Sequence, residues 1–519
     1  MCGVPVMSAI MSTSVWLQEA CWSVPPVLHQ KKLEACHNRA CLSRLVFAFK
    51  AVLQKLNRVF NLDWLLYALL HTGEMVLQCN EGVLAVHHAG RSPGDAGFLK
   101  VECNGGLNQK RAAIADAVAV AWLMNRTLVV PVLETDQYWG DESGFNSIFN
   151  ETHFIERLSS IVPIVREAEL PANLTTFRRL AKTRGDVAFY HWLAGRSKNV
   201  GLLVLEKFSH KLSYRDEHVS REVQRIRCFA NLEALKFTDS IEATGRKIVR
   251  KLRSARGSYV AVHLRFEQDM LAHAKCDFEG TRAERRELEE MREEFWPYRN
   301  HRDNDTIEGN RGAGRCPLSP EEVGRLLNLL GFPRSTTVYV ASGPVYKPEK
   351  SMPGLTKFFP NLVRLTNSQK PGTSSLNITS LLEYEERKRF GSHADQLAAL
   401  DYLVCAHADV FMPSFTGNMD FLLEGERRYA GFRTTIIPNR PRLAGILAET
   451  GLSFGEAQKR VYEVHPPVQR FGFEPRLGSE LGAVLRHRHS VFSHPLPECL
   501  CVKGKLLPDE AYAAALAEF

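Results

Sequence analysis

The feature that most constrains this chain is a strand, turn, helix and strand series that begins at Gly97 and recurs downstream. Phe98 to Cys103 is a strand candidate, a Gly105-Gly106 turn follows, and Ile114, Ala117, Val118, Ala121 and Trp122 fall on one helical face. Thr127 to Val132 reads as the next buried strand, which completes a β-α-β unit. Later, Tyr259 to Leu264, Thr337 to Ala341 and Asp409 to Met412 are short β-rich runs, with helical patterns at Pro320 to Leu330 and Ala394 to Leu403 between them. The expected fold is α/β, with two halves that each carry a parallel sheet.

Around this core the chain changes character. Residues 1–94 scatter Cys, His and basic residues and show helical spacing at Leu42, Leu45, Val46, Phe49, Val52, Leu53 and Leu56. They read as a divergent appendage, partly helical or disordered. An amphipathic helix packed on its own domain is the favoured reading, and Arg44, Lys50, Lys55 and Arg58 leave membrane-surface binding as the alternative. The stretch Val59 to Leu77 holds Asn61, Asp63, His71 and Glu74, so it makes no convincing transmembrane helix, and Met1 to Pro25 lacks the ordered parts of a signal peptide.

The expected halves are residues 95–255 and 256–475, with a tail at 476–519. A charged insert spans 280–315, in which Arg285 with Glu289 and Arg286 with Glu290 have helical spacing. Cys276 and Cys316 bracket this insert, and a disulfide closing it suits an oxidising compartment. Twelve cysteines in 519 residues are otherwise too few for a disulfide scaffold. Five N-x-Thr sequons, at Asn125, Asn150, Asn173, Asn304 and Asn377, are usable only in the secretory pathway. The net charge of +8, from 66 basic and 58 acidic residues without a long block of one sign, suits an anionic substrate. No aromatic and basic array of the kind that stacks bases is present, so nucleic acid is not an expected partner.

Three segments carry chemistry. Cys103-Asn104-Gly105-Gly106-Leu107-Asn108-Gln109 joins a strand to a helix N-terminus, where free N–H groups favour an anion or sugar hydroxyls. A Gly-Gly pair alone is a tight corner, but Asn108, Gln109 and Arg111 supply more polar groups than a corner needs. In Ala261-Val262-His263-Leu264-Arg265-Phe266-Glu267, period-two alternation puts His263, Arg265 and Glu267 on one side at a strand's end, where open α/β sheets bind ligands. Arg265 can clamp a diphosphate there, or pair with Glu267 or Asp269 to hold the fold. In the third segment, Asp409 to Asn418, Ser414 and Thr416 fit either a helix cap or phosphate ligands, and Asp409 could accept from a base or ribose. Asp303-Asn304-Asp305 has a D-x-D metal-site spacing but falls in the charged insert and reads as a loop. His487-Arg488-His489 and Cys499-Leu500-Cys501 do not make a zinc set, and neither a P-loop nor a Gly-x-Ser-x-Gly elbow occurs.

Together these segments resemble the plant-type protein O-fucosyltransferase family over most of Gly97 to Val502. The resemblance is carried by Gly105-Gly106-Leu107-Asn108-Gln109, Tyr138-Trp139, His263-Leu264-Arg265-Phe266-Glu267, Asp269-Met270-Leu271 and Cys316-Pro317-Leu318-Ser319-Pro320-Glu321-Glu322. Further on it rests on Gly343, Glu349-Lys350-Ser351-Met352, Phe359-Pro360-Asn361-Leu362, Ala398-Ala399-Leu400-Asp401-Tyr402, Phe415 to Asn418 and Asn439-Arg440. It implies a GT-B architecture, two Rossmann-like domains facing a cleft, and an inverting transfer that needs no obligatory metal or other cofactor. The implied donor substrate is GDP-fucose, with protein or polysaccharide as acceptor.

The resemblance also implies roles for individual residues. Arg265 would hold the diphosphate, Asn108 with Gly105 and Gly106 the sugar and phosphates, His263 and Asp409 the nucleoside, and Ser414, Phe415 and Thr416 the phosphate and base end. Related enzymes can carry the catalytic carboxylate in the glycine turn. Here Gly105 and Gly106 occupy it, which leaves Glu102, Glu267 or water to take the acceptor proton. Golgi residence behind a membrane anchor, with a part in plant cell-wall or glycoprotein synthesis, is expected from kinship. The rival functions are a UDP-rhamnose-dependent pectin rhamnosyltransferase and a non-catalytic scaffold member.

Overall fold

Strands of a parallel sheet are covered on both faces, so they need apolar side chains on both sides of the pleat. Val260-Ala261-Val262, Val338-Tyr339-Val340-Ala341 and Phe411-Met412 satisfy this, each residue being buried. The computed structural model describes residues 96–135, 140–181, 187–208, 212, 220–276, 280–297, 307–365, 379–415, 417–430, 434–449, 451–464, 491–493, 501–502 and 505–506. Residues 1–94, Tyr138-Trp139, Asp303-Asn304-Asp305, Asn377, Thr416 and His487-Arg488-His489 lie outside them.

The first sheet contains β1 (Phe98–Cys103), β2 (Thr127–Val129), β3 (Val132–Leu133), β4 (Ile164–Val165), β5 (Thr176–Leu180) and β6 (Leu202–Phe208). Its order is β4-β2-β1-β6-β5, all parallel, with β3 pairing β1 beyond the end of β2. The expected single strand from Thr127 to Val132 is therefore two pieces. Pro131 has no N–H to give to a ladder, and the run breaks there.

Helix α1 (Leu107–Met124) crosses from β1 to β2. It was expected to bury one face, yet nearly every residue is buried, which its run of Ala and Val at all angular positions allows.

The second sheet contains β7 (Val260–His263), β8 (Val338–Ala341), β9 (Leu362–Arg364), β10 (Thr379–Ser380) and β11 (Val410–Pro413), in the parallel order β10-β9-β8-β7-β11. The pleat splits its side chains between two cores. Val260, Val262, Val338, Val340 and Met412 join one cluster, whereas Ala261, Tyr339, Ala341 and Phe411 join the cluster that also holds β1 and α1. A boundary near residue 255 thus separates two sheets but not two hydrophobic cores. Helix α2 (Asp239–Arg256) and, later, α6 (Ala394–His407) pack together in that shared core.

The charged insert contains α4 (Arg282–Phe295), which follows α3 (Gln268–Ala274) and is started by a Thr281–Glu284 capping box. Leu288 and Arg292 are buried on its inner side, and Arg286 and Glu290 pair at 3.5 Å on its outer side. Cys276 and Cys316 form the expected disulfide, with Cα atoms 5.7 Å apart and 40 residues between them in sequence. Helix α5 (Pro320–Leu329), capped by Ser319, follows the charged insert, and α7 (Asn418–Tyr429) follows β11. No helix among the described residues is long and apolar enough to cross a membrane.

Candidate active site at the carboxyl edges of the two sheets

In an open parallel sheet, ligands sit outside the carboxyl ends of the strands, where the strand order reverses. Here the reversals are known. β1 lies between β2 and β6, and β7 lies between β8 and β11. The Gly105-Gly106 turn leaves the first reversal and the His263 to Glu267 segment leaves the second, so both sequence constellations fall where the topology makes room for a ligand.

The two edges are brought together by α1 and α6. A helix following a strand starts at that strand's carboxyl edge, which places the N-terminus of α1 at the edge of the first sheet. α6 leads into β11 and so begins at the edge of the second. Their first turns meet: the Lys110 ammonium donates to Asp395 Oδ2 at 2.7 Å, with both side chains buried. The Leu107 N–H donates to the same carboxylate. The backbone N–H of Asp395 in turn donates to Asp141 Oδ2 at 2.6 Å, and Gln396 donates to the Ser143 hydroxyl at 3.0 Å. An anion was expected at the start of α1, and a protein carboxylate holds part of that position.

Within the glycine turn, Gly105 has φ +86, and a Cβ there would come within 3.1 Å of Gln109 Cβ, so both backbone and space call for glycine. Gly106 is the helix cap and brings no side chain to the N–H groups. Asn108 is buried, and its Oδ1, like Oδ1 of Asn104, has no partner in the protein. Such an atom is costly unless something else supplies a donor.

Arg111 was expected to join this turn, but it points inward. Its guanidinium lies 4.0 Å from the centre of the Tyr402 ring and 5.1 Å from that of Phe237, and it pairs with Glu426 at 3.6 Å. It is a core cation held by aromatic faces.

At the second edge the predicted residues interlock. The Ser414 hydroxyl, wholly buried, accepts the Arg265 N–H at 2.9 Å, and the Ser414 N–H donates to the His263 carbonyl at 2.9 Å, so the ends of β7 and β11 are tied together. His263 Nδ1 lies 2.6 Å from Asp420 Oδ1, and Asp420 Oδ2 accepts the Gly417 N–H at the start of α7. Sequence spacing could not reveal Asp420 as the partner, because 157 residues separate the pair. Phe415 is stacked by the Arg440 guanidinium, 4.5 Å from the ring centre.

The Arg265 side chain is 25% exposed and has two acidic neighbours. Its NH1 lies 3.7 Å from Glu267 Oε1, and Oε1 also accepts the Gly343 N–H at 3.2 Å. Glu267 is buried and its Oε2 has no partner in the protein; the same holds for Asp269 Oδ1. Burial pushes the Asp269 carboxyl above the usual carboxylate range, with Arg265 opposing and Glu267 adding to the shift. Deeper still, Asp401 accepts the Tyr339 hydroxyl at 2.5 Å, and burial raises its carboxyl to about 7.

Two predicted residues are not brought into this group. Asp409 precedes β11, at the amino edge, where its Oδ2 accepts the Tyr259 N–H at 2.9 Å; its own edge of the sheet is opposite that of Arg265. Glu102, on β1, accepts from Arg178 at 2.7 Å, and the same guanidinium binds Glu206 at 2.7 Å. A carboxylate missed in the sequence, Glu134, follows β3 directly, and its N–H donates to the Cys103 carbonyl at 2.8 Å beside the glycine turn. Burial first, then Glu102 and Glu206, push its carboxyl up, against a hydrogen bond from the Lys207 N–H. Among the described residues no cluster of His, Cys, Asp and Glu could hold a metal ion.

The GDP-fucose protein O-fucosyltransferase model matches residues 98–430, a span that takes in both sheets and both edges. The chain belongs to this family. Among its relatives, O-fucosyltransferase 38 of Arabidopsis thaliana is 35% identical over 414 residues, covering 78% of this chain and 76% of that one. Rhamnogalacturonan I rhamnosyltransferase 1 of the same plant is 39% identical over 361 residues, 68% of each chain. A crystal structure of POFUT1 in complex with GDP covers 67% of this chain and 99% of its own at 14% identity, with a TM-score of 0.38. This O-fucosyltransferase family member is accordingly one of a group of glycosyltransferases that includes both fucosyl- and rhamnosyltransferases by name.

Proposed function

We propose that this chain transfers fucose from GDP-fucose, with inversion, to a hydroxyl of a protein or glycan acceptor. The observation that carries the reading is Arg265, a partly exposed guanidinium at the carboxyl end of β7, at the reversal of the second sheet. As the bond from the anomeric carbon to the phosphate oxygen breaks, its electron pair stays on the GDP, and charge builds on the diphosphate. A fixed cation placed there stabilises the transition state more than the ground state, which is what raises turnover. Ser414 fixes the Arg265 backbone, and Glu267 limits where the guanidinium can swing.

The acceptor oxygen attacks the opposite face of the anomeric carbon and gives its proton to a base. Glu102 is taken up by Arg178 and Glu267 is buried against Arg265, so Glu134 is the carboxylate whose surroundings best suit that task. The unpartnered oxygens of Asn104 and Asn108 are acceptors suited to sugar hydroxyls. Ser414 acts on the Arg265 backbone, and Phe415, backed by Arg440, offers a flat face to the base end. Asp409, at the opposite edge, is not included in the donor site. The Cys276–Cys316 disulfide supports work in an oxidising compartment such as the secretory lumen, and the Golgi is assigned within it from kinship.

A second reading, rhamnose from UDP-rhamnose, is favoured by the identity to the Arabidopsis rhamnosyltransferase. Thermal shift of the purified protein with GDP, UDP and their sugars separates the two, because a ligand that binds only the native state raises its melting temperature. GDP-selective stabilisation is expected; UDP selectivity moves the donor to rhamnose, and no shift with either favours a scaffold. With the preferred donor, Arg265→Ala or Arg265→Lys should abolish transfer while the fold is kept. Near-normal turnover in either variant removes Arg265 from the mechanism.

A further inference from the structure

A guanidinium that stabilises a departing charge must be held to within a fraction of an ångström, so the groups that hold it belong to the machinery. Arg265 is not anchored only by its immediate neighbours. The carboxylate beside it, Glu267, is itself fixed by the Gly343 N–H, and Gly343 stands in the turn that leaves the carboxyl end of β8. That turn has a second restraint. Arg364, the last residue of β9, is buried, and its NH2 donates to the Ser342 carbonyl at 3.2 Å and to the Gly343 carbonyl at 3.1 Å.

We propose that Arg364 is a positioning residue for the transfer, acting through the Ser342-Gly343 turn and Glu267 to fix Arg265. The inference rests on the role given to Arg265 above. Four observations make the relay continuous. One guanidinium nitrogen binds two successive carbonyls, which sets the orientation of the turn and so of its N–H. That N–H meets Glu267 Oε1, the same oxygen that faces Arg265. The neighbouring chain is locked as well: Tyr346 N–H donates to the Phe266 carbonyl at 2.8 Å, and Glu267 bridges Val345 in antiparallel fashion. Finally, Glu267 Oε2 is buried without a protein partner, so the carboxylate gains little by rotating away from its single N–H.

A core arginine that binds carbonyls is often only structural, and a loss of activity alone would not tell the two apart. The test is a double-mutant cycle on the full chain with steady-state kinetics, using whichever nucleotide sugar the wild type turns over. Arg364→Met and Glu267→Gln are each expected to lower kcat by about tenfold to a hundredfold while donor KM changes by less than about threefold. Arg364→Lys should recover part of the loss, because an ammonium still offers donors to the two carbonyls that one guanidinium nitrogen now binds but lacks the planar group that fixes their direction.

The deciding variant carries both changes. If Arg364 acts through Glu267, Arg364→Met has little further effect on kcat in the Glu267→Gln background. A full second loss in that background overturns the relay, as does a rise in KM with kcat unchanged. If Arg364→Met does not fold, the same cycle is run with Arg364→Lys, whose expected non-additivity is the same. A wild-type protein that binds GDP or UDP but transfers neither sugar removes the transfer reaction and this assignment with it. Additive losses in an active enzyme remove the assignment alone.

Discussion

The pair formed by Lys110 and Asp395 offers a demanding test of how the two sheet edges are held. Both side chains are almost wholly removed from water, 1% and 6% exposed, and their charges are 2.7 Å apart. In Lys110→Met the hydrophobic stem is retained while the ammonium is lost, leaving the Asp395 carboxylate buried with the Leu107 N–H as support. Removing one partner from a buried ion pair costs about 3–5 kcal/mol, and the remaining N–H places this site toward the lower end of that range. Burial already raises the Asp395 carboxyl, with Lys110 opposing. Without Lys110 it rises further. A raised carboxylate pKa in the folded state means stability present at low pH and lost as pH rises through that value, so the variant should lose less at pH 5 than at pH 8.

Urea denaturation of wild type, Lys110→Met, Asp395→Asn and the double variant at both pH values measures this. A coupling of about 2 kcal/mol or more is expected at pH 8, since the double variant leaves no unpaired buried charge. Additive losses, or a Lys110→Met penalty that does not depend on pH, would refute the reasoning.

Other outcomes follow from the same geometry. Glu134→Gln should lower kcat by about a hundredfold to ten-thousandfold and flatten the acidic limb of the rate profile, with GDP-induced stabilisation retained; an intact limb assigns the proton elsewhere. Asp401 titrates near 7 in the folded state, so its contribution to stability is complete below the unfolded value and declines as pH rises from about 4 to about 7. Between pH 5 and pH 8, wild type should therefore lose roughly 3 kcal/mol more stability than Asp401→Asn, and parallel urea titrations check it. Replacing Cys276 and Cys316 by serine opens a 40-residue span, and chain entropy places the loss at about 4 kcal/mol, measured by denaturation with and without reductant.

How much of this was readable beforehand depends on the range of the interaction. Strand identity is local, and β7, β8 and β11 lie within a residue of the apolar runs that predicted them. The position of Arg265 at a carboxyl edge follows from its place just past the apolar run that predicted β7. Partners are another matter. Lys110 and Asp395 stand 285 residues apart, and nothing in either neighbourhood announces the other. Arg111 looked like a ligand because it shares a turn with Asn108, but one helical turn separates opposite fates, and only the tertiary placement of Tyr402 and Phe237 decides that it faces inward. Asp409 was assigned to the site from the run that it begins, although a residue just before a four-residue strand necessarily lies at the edge opposite the strand's last residue. Glu134 was overlooked because it belongs to no motif; its signal, an acidic residue just past the Pro131 break, was there to be used.

The carboxylate seated on the first turn of α1 has a kinetic corollary. To swing the sheets apart like a clamshell, the protein would have to tear Asp395 from both Lys110 and the Leu107 amide and expose each to water, for an activation cost comparable to local unfolding. With the donor bound as proposed, its exchange is then expected to proceed without parting the sheets at this contact. Turnover in this enzyme should be insensitive to solvent viscosity in the range where large rigid-body excursions are slowed.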